Sequence, residues 1–327
     1  MILGILGTLC ALFAFISTCT YTALVFFPPR LSPNLIPVNP AARPLAAAAV
    51  DDTTGASTAT DDAHDTTVSQ RTTGDGEKAP LVTSTGSLRR VLLVIAHPDD
   101  ECMFFGPLLT ALQRWQSPDP TDPVPRVEVH VLCMSVGNFD KQGEVRQVEL
   151  VRSCARFGIA KENIIIVDDP SLPDNPNKVW NIQLVARIIE KCVVDRGIGS
   201  IFTFDQRGVS GHMNHIAVNL GVQHMLGFSR RIKARSLPAY RLVSVGLLRK
   251  YASLFDTFFS LSVTSQPELA NFGLVSSSEY LLFVAHWRDV IKAREAMYEH
   301  RSQMLWFRHL YIFFSRYMVI NSFERVR

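Results

Sequence analysis

The sequence predicts a three-layer α/β domain over 89–327, with a mainly parallel sheet covered by helices on both faces. Residues 91–96, Val-Leu-Leu-Val-Ile-Ala, form an uninterrupted apolar run that suits a central strand meeting water on neither face. Strand-like and helix-like segments then alternate, which calls for parallel strands joined by right-handed crossovers. Two of the strands run directly into polar clusters: His97-Pro98-Asp99-Asp100-Glu101, and Asp205 followed by His212-Met213-Asn214-His215. Open α/β sheets bind ligands beyond the carboxyl ends of their strands, where both clusters fall.

The 327 residues, 47% of them hydrophobic, suffice for one large domain with extensions. Residues 1–29 carry no charged side chain, and 2–27 are long enough to cross a hydrocarbon core of about 30 Å. With no basic n-region and an apolar run longer than a usual signal h-region, 1–28 reads as an uncleaved membrane anchor rather than a cleaved signal peptide. Arg30 and Arg43 follow this span and no Lys or Arg precedes it, so the positive-inside rule puts the bulk of the chain in the cytosol. The six cysteines form no Cys-x-x-Cys pair and several sit in apolar surroundings, as reduced core thiols do. Residues 29–88, with Ala, Thr, Ser, Asp and Gly dominating 51–76, cannot bury enough surface to offset their ordering entropy and read as a disordered linker.

Within the domain, Pro98 ends the first strand, and Met103, Phe104, Leu108, Leu109, Leu112 and Trp115 mark the buried stripe of the helix behind it. Residues 127–134 predict a second strand, 142–157 a helix, 164–167 a third strand, 178–195 a helix and 200–204 a fourth strand. No Gly-x-Gly-x-x-Gly opens the first helix, which argues against a dinucleotide-binding domain of the usual kind. A net charge of +3 is too balanced to announce a nucleic-acid binder.

An Asp before a helix is a common N-cap, and acidic residues in a first turn favour the helix dipole, so Asp-Asp-Glu alone has a purely structural explanation. His97 changes the balance, because an imidazole and two carboxylates on one turn supply ligands for a divalent metal and leave a carboxylate over. His212 and His215, three apart, share one helical face at the edge of the same sheet. A His-x-x-His pair is weak by itself; two polar clusters converging on one cleft are not.

Together these residues resemble the zinc-dependent de-N-acetylase superfamily of the PIG-L and LmbE type. The resemblance is closer to its membrane-bound eukaryotic branch, which acts on N-acetylglucosaminyl-phosphatidylinositol in glycosylphosphatidylinositol-anchor synthesis. It rests on His97-Pro-Asp-Asp-Glu101 and Gly208-Val-Ser-Gly-His-Met-Asn-His215, with support from Ser135-Val-Gly-Asn138, Thr203-Phe-Asp205, Val245-Gly-Leu-Leu-Arg-Lys-Tyr251 and the stretch 300–308. It implies a Rossmann-like, LmbE-type fold. His97, Asp100 and His215 would hold a divalent metal, most simply Zn²⁺, with Asp99 as general base and His212 stabilising the oxyanion or acting as an acid. It also implies a lipid-linked amino-sugar substrate and a single-pass location in the endoplasmic reticulum membrane, with the catalytic domain facing the cytosol.

Two further residues carry open alternatives. Asp205 either orients a ligating imidazole or caps its loop. Arg146 either binds the substrate phosphate bidentately or makes a solvated ion pair with a neighbouring Glu on its helix. Residues 304–320 mix aromatic side chains with Arg308, His309 and Arg316. They fit an interfacial helix beside the membrane, although a core helix with snorkelling arginines is the more usual meaning of such a stripe. Two other functions remain compatible with the sequence: hydrolysis of a soluble N-acyl sugar, and a non-catalytic membrane-anchored binding subunit.

Overall fold

The computed structural model describes residues 88–116, 126–251, 256 and 279–327. The expected anchor (1–28) lies outside the described residues, as does the expected linker apart from its last residue. Among the described residues no helix is long and apolar enough to cross a membrane.

In chain order the main elements are β1 (Arg89–Ile95), α1 (Asp100–Gln113), β2 (Val127–Cys133), α2 (Gly143–Arg156), β3 (Ile164–Ile166), α3 (Ile182–Asp195) and β4 (Ser200–Phe204). They continue with α4 (Met213–Phe228), β5 (Ala239–Leu242), β6 (Tyr280–Val284), α5 (Trp287–Glu299), α6 (Trp306–Phe314) and β7 (Ile320–Arg325). One expected boundary moves. The helix expected from residue 178 begins at Ile182, because the Asn181 side chain accepts from Gln183 N (2.9 Å) and Leu184 N (3.1 Å) and so caps the helix there.

The sheet has seven strands in the order β3-β2-β1-β4-β5-β7-β6. β1 to β5 pair in parallel, and β7 runs antiparallel to both its neighbours, so it alone is reversed. The chain leaves β1 towards β2 and β3, then returns to lay β4 on the other side of β1. That reversal opens a crevice between the carboxyl ends of β1 and β4, the switch point at which such sheets bind ligands.

Alternation along β1 builds both cores. Val91, Leu93 and Ile95 pack with residues of α1, α2 and α5 on one face. Leu92, Val94 and Ala96 pack with α3 and α4 on the other. Each of these side chains is at most 1% exposed, and burying one Val, Leu or Ile contributes about 1.5–3 kcal/mol. Helices α3 and α4 approach closely at Gly221, where a Cβ would collide with Val185. Cys102, Cys133, Cys154 and Cys192 are free and buried, as expected of reduced core thiols.

Helix α1 contains Pro107 in its interior, which removes a backbone donor and crowds the preceding turn. The carbonyls it exposes are claimed from the C-terminal part of the chain. Tyr311 Oη donates to Met103 O (3.0 Å), while Asn321 Nδ2 donates to Phe104 O (2.8 Å) and its Oδ1 accepts from Leu108 N (3.1 Å). Residues 306–327 thereby fix the helix whose first turn carries Asp100.

Helix α6 is not a core helix. Tyr311 and Ile312 are buried, but Trp306, Phe307, Leu310, Phe313 and Phe314 are exposed. Its inward face packs on α1 through Tyr311, and the other face carries an aromatic surface.

Candidate metal and amide-hydrolysis site

The end of β1 is shaped by its own side chains. Asp100 Oδ2 accepts from the backbone N–H of Ala96 (3.0 Å) and His97 (2.8 Å), folding the turn back on the strand. Asp99 holds φ at 115°, a region an L-residue enters only under constraint, and its side chain makes no capping hydrogen bond. The N-cap explanation for Asp99 therefore fails; its carboxylate turns into the cleft. Arg146 Nη2 donates to Pro98 O (2.7 Å) and Glu101 Oε2 accepts from Asp99 N (3.1 Å), which keeps the turn in this shape.

The end of β4 is built as tightly. Asp205 accepts from Ser244 N (2.8 Å), Ser244 Oγ (2.6 Å) and Arg207 N (3.0 Å). It ties the loops after β4 and β5 together and makes no hydrogen bond to an imidazole, so of its two sequence readings the loop cap is the one its contacts describe. Val209, β-branched at φ 63°, is held by its N–H donating to Ser244 Oγ (2.9 Å). The neighbouring Gly208 has φ 55°, and its carbonyl lies 3.1 Å from His215 Nδ1.

Hydrogen-bond partners sort the three clustered histidines by tautomer. His215 Nδ1 faces a carbonyl, so it carries the proton and leaves a lone pair on Nε2. That Nε2 is buried without a hydrogen-bond partner, 3.1 Å from Asp100 Oδ1. His97 Nε2 lies 3.2 Å from Asp174 Oδ1 and 3.0 Å from the Asn214 side-chain amide, whose oxygen turned inward accepts from it. The His97 lone pair is therefore on Nδ1, 3.7 Å from Asp100 Oδ2. His212 differs: its Nδ1 accepts from Asn214 N (3.3 Å) at the start of α4, so Nε2 bears the hydrogen. Two imidazoles direct lone pairs at one carboxylate, an arrangement that is repulsive until a cation lies among them; the third presents an N–H.

One ring nitrogen from each of His97, His212 and His215 lies within 4.8 Å of the others, and Asp100 beside His97 and His215 completes a set of nitrogen and oxygen donors suited to zinc or another first-row divalent ion. The residues fit such an ion, and the orphaned Nε2 of His215 is the plainest sign of it.

Electrostatics divide the carboxylates. For Asp100, burial works to raise the pKa, but the His215 and His97 rings hold it well below the ordinary carboxylate range. Burial pushes Asp99 up, against Arg308 (Nη2 3.2 Å from Oδ2) and Arg146 (Nη2 3.6 Å). Burial lowers His97 and His212, the latter helped by the neighbouring His215. For His215, burial is more than offset by Asp100, which raises the ring's pKa; the positive charge thereby favoured between Nε2 and Asp100 is one that a metal ion would supply to the neutral ring.

Arg146 is buried rather than on a solvated helix face. Its Nη1 donates to Gly137 O (2.9 Å) and Asp174 Oδ2 (3.1 Å) and its Nη2 to Pro98 O, so both terminal nitrogens are committed within the protein, while Nε has no hydrogen-bond partner among the described residues. Asp174 is not legible from the sequence pattern, although it supplies to His97 the kind of imidazole-orienting partner considered for Asp205. The Pro-rich loop that carries it follows β3 at the same sheet edge, and that position was its available signal.

The site opens into a cleft of about 820 Å³, floored by His97, Asp99, Asp100, His212 and His215 and walled by α6 residues including Trp306, Phe307 and Leu310.

Residues 92–226 match the family model described as PIG-L, GlcNAc-PI de-N-acetylase. A Bos taurus protein named N-acetylglucosaminyl-phosphatidylinositol de-N-acetylase is 40% identical over 237 residues, covering 72% of this chain and 83% of that one. A Schizosaccharomyces pombe protein, named as a probable enzyme of the same kind, is 35% identical over 240 residues, covering 73% of this chain and 88% of its own. Among solved structures, the N,N'-diacetylchitobiose deacetylase of Pyrococcus horikoshii aligns with a TM-score of 0.44 at 17% identity, over 73% of this chain and 84% of that one. With identity of this level over most of its length and the motifs in place on the sheet edge, the chain belongs to the PIG-L family of de-N-acetylases.

Proposed function

We propose that this protein hydrolyses the N-acetyl group of N-acetylglucosaminyl-phosphatidylinositol, giving acetate and glucosaminyl-phosphatidylinositol, a step of glycosylphosphatidylinositol-anchor biosynthesis. The observation that carries the chemistry is the tautomer pattern: two lone pairs and a carboxylate converge while a third imidazole offers an N–H, all beside a buried Asp99.

His97 Nδ1, His215 Nε2 and Asp100 would hold the metal, with Zn²⁺ as our assignment. A divalent ion bound there supplies Lewis acidity, polarising the acetamide carbonyl and making a water acidic near neutral pH. Asp99 takes the proton from the attacking water, and Arg308 and Arg146 keep its carboxylate aimed into the cleft. His212 Nε2–H donates to the oxygen that becomes negative as the carbonyl carbon turns tetrahedral. As a neutral donor it needs no prior protonation. Asp99 then passes its proton to the amide nitrogen, the C–N bond breaks, and amine and acetate leave. Asp174 and Asn214 hold the His97 ring in orientation throughout.

The reading extends to location. The uncharged apolar run before Arg30 supports a single N-terminal anchor over 1–28 and a linker over 29–88, with the catalytic domain on the cytosolic side of the endoplasmic reticulum membrane.

The test is acetate release from N-acetylglucosaminyl-phosphatidylinositol by purified full-length protein beside Asp99→Asn, with metal measured on both. Wild type should release acetate, and the variant should keep its metal and lose turnover. A metal-loaded wild type inert on this lipid would refute the substrate, and a fully active Asp99→Asn would refute the base.

A further inference from the structure

With Arg146 committed to Gly137, Pro98 and Asp174, the cleft needs another cation to meet the negative charge of a phospholipid substrate. Lys250 lies in the cleft wall at the end of the short helical turn Leu247–Lys250. Its side chain is only 9% exposed, yet among the described residues its ammonium makes no hydrogen bond and no ion pair. The aromatic ring of Tyr251 lies 5.9 Å from Nζ, and the charge of Arg308 stands close enough to disfavour a second cation. An ammonium on a residue so largely buried, beside another cation and without a carboxylate, is costly unless an anion is to arrive.

The cleft holds the kinds of surroundings that the groups of the substrate need. Asp99 and the three histidines form the polar floor, and Arg308 pairs with Asp99 at its edge. Lys250 stands near Arg308 in the cleft wall, and Leu247 (71% exposed), Leu248 (89%) and Trp306 (75%) stand at the surface. In a glycosylated phosphatidylinositol the phosphodiester separates the sugar and inositol from the acyl chains. Resting on the function proposed above, we propose that Lys250 binds the phosphodiester of the lipid-linked substrate and so sets its depth in the cleft.

The experiment compares full-length wild type, Lys250→Met and Lys250→Arg in mixed micelles. The substrates are N-acetylglucosaminyl-phosphatidylinositol and a phosphate-free N-acetylglucosaminyl-inositol bearing an alkyl chain. Met keeps the apolar stem, and matched melting temperatures confirm folding. Lys250→Met should raise KM for the phosphate-bearing substrate roughly tenfold to a hundredfold with kcat little changed, the range for a charge-assisted hydrogen bond, and should cut the wild-type preference for that substrate by the same factor. Lys250→Arg should restore most of it.

Unchanged KM in Lys250→Met, or an equal loss on both substrates, overturns the proposal while leaving the deacetylase reading standing. If inorganic phosphate competes in wild type as strongly as soluble glycerophosphoinositol, the site takes a free anion and the lipid assignment falls. If wild type releases acetate from neither substrate, both readings fall together.

Discussion

Asp100 and Glu101 are consecutive residues on the first turn of α1, and each faces a buried histidine, yet the two pairs do opposite things. Glu101 Oε1 lies 2.7 Å from His300 Nε2 and 2.5 Å from Ser153 Oγ, and its other oxygen accepts from Asp99 N, inside a region where both partners are 0% exposed. It is a buried brace joining α1 to the end of α5, in which the ring nitrogen facing the carboxylate is hydrogen-bonded to it while His300 Nδ1 has no partner among the described residues. Asp100 stands 3.1 Å from His215 Nε2, but that nitrogen has no hydrogen bond, and the pair borders the cleft. Similar chemistry serves structure where the facing nitrogen and carboxylate are hydrogen-bonded to each other, and serves function where the facing nitrogen is left over at a cleft. The α-helix sets the difference, turning neighbouring side chains about 100° apart.

The comparison breaks most visibly at Asp99, which touches both sides: its N–H is bonded to Glu101 while its carboxylate faces the cleft. Asp99→Asn should lower kcat by about 10²–10⁴ while metal and melting temperature hold. Glu101→Gln should do the reverse, costing roughly 3–5 kcal/mol in urea unfolding because it strands His300, with activity per folded molecule retained. Equal activity losses per folded molecule in the two variants would erase the distinction.

Asn321→Ala sharpens it from the side of the scaffold. Removing the amide that bridges the break at Pro107 should cost about 1–3 kcal/mol, read in the same unfolding experiment. A still smaller effect is expected at His130, another buried histidine near a carboxylate, 3.5 Å from Glu128, with neither ring nitrogen hydrogen-bonded. Burial lowers its pKa from 6.5, against the pull of Glu128. The folded state therefore binds fewer protons than the unfolded one just below that pH, and stability falls as the solution is acidified. His130→Leu should flatten this slope, seen as a smaller melting-temperature loss between pH 6.5 and more acidic buffer. A slope unchanged by the substitution would contradict the assignment.

What the sequence made legible was local. The run 91–96 into His97, and the His212–His215 spacing, named the switch-point site because strand ends and helix starts are written within a few residues. Pairings across the chain were not legible. Glu101 meets His300, Pro107 is answered by Asn321, and β7 inserts antiparallel beside β5; no short-range pattern encodes any of them. Asp205 and Arg146 are legible as polar groups close in sequence to a strand end and a helix start, but tertiary contacts decide their partners. The aromatic stripe of α6 reads as core because periodicity reveals that a face exists, not what it meets.

The most direct test of the account is the divalent-metal content of purified Asp100→Asn and Glu101→Gln beside wild type, measured on folded protein after dialysis. The account expects wild type and Glu101→Gln to retain the ion and Asp100→Asn to lose it together with acetate release. Retention of metal in Asp100→Asn, or its loss from folded Glu101→Gln alone, would contradict the assignment of the open pair as the metal centre.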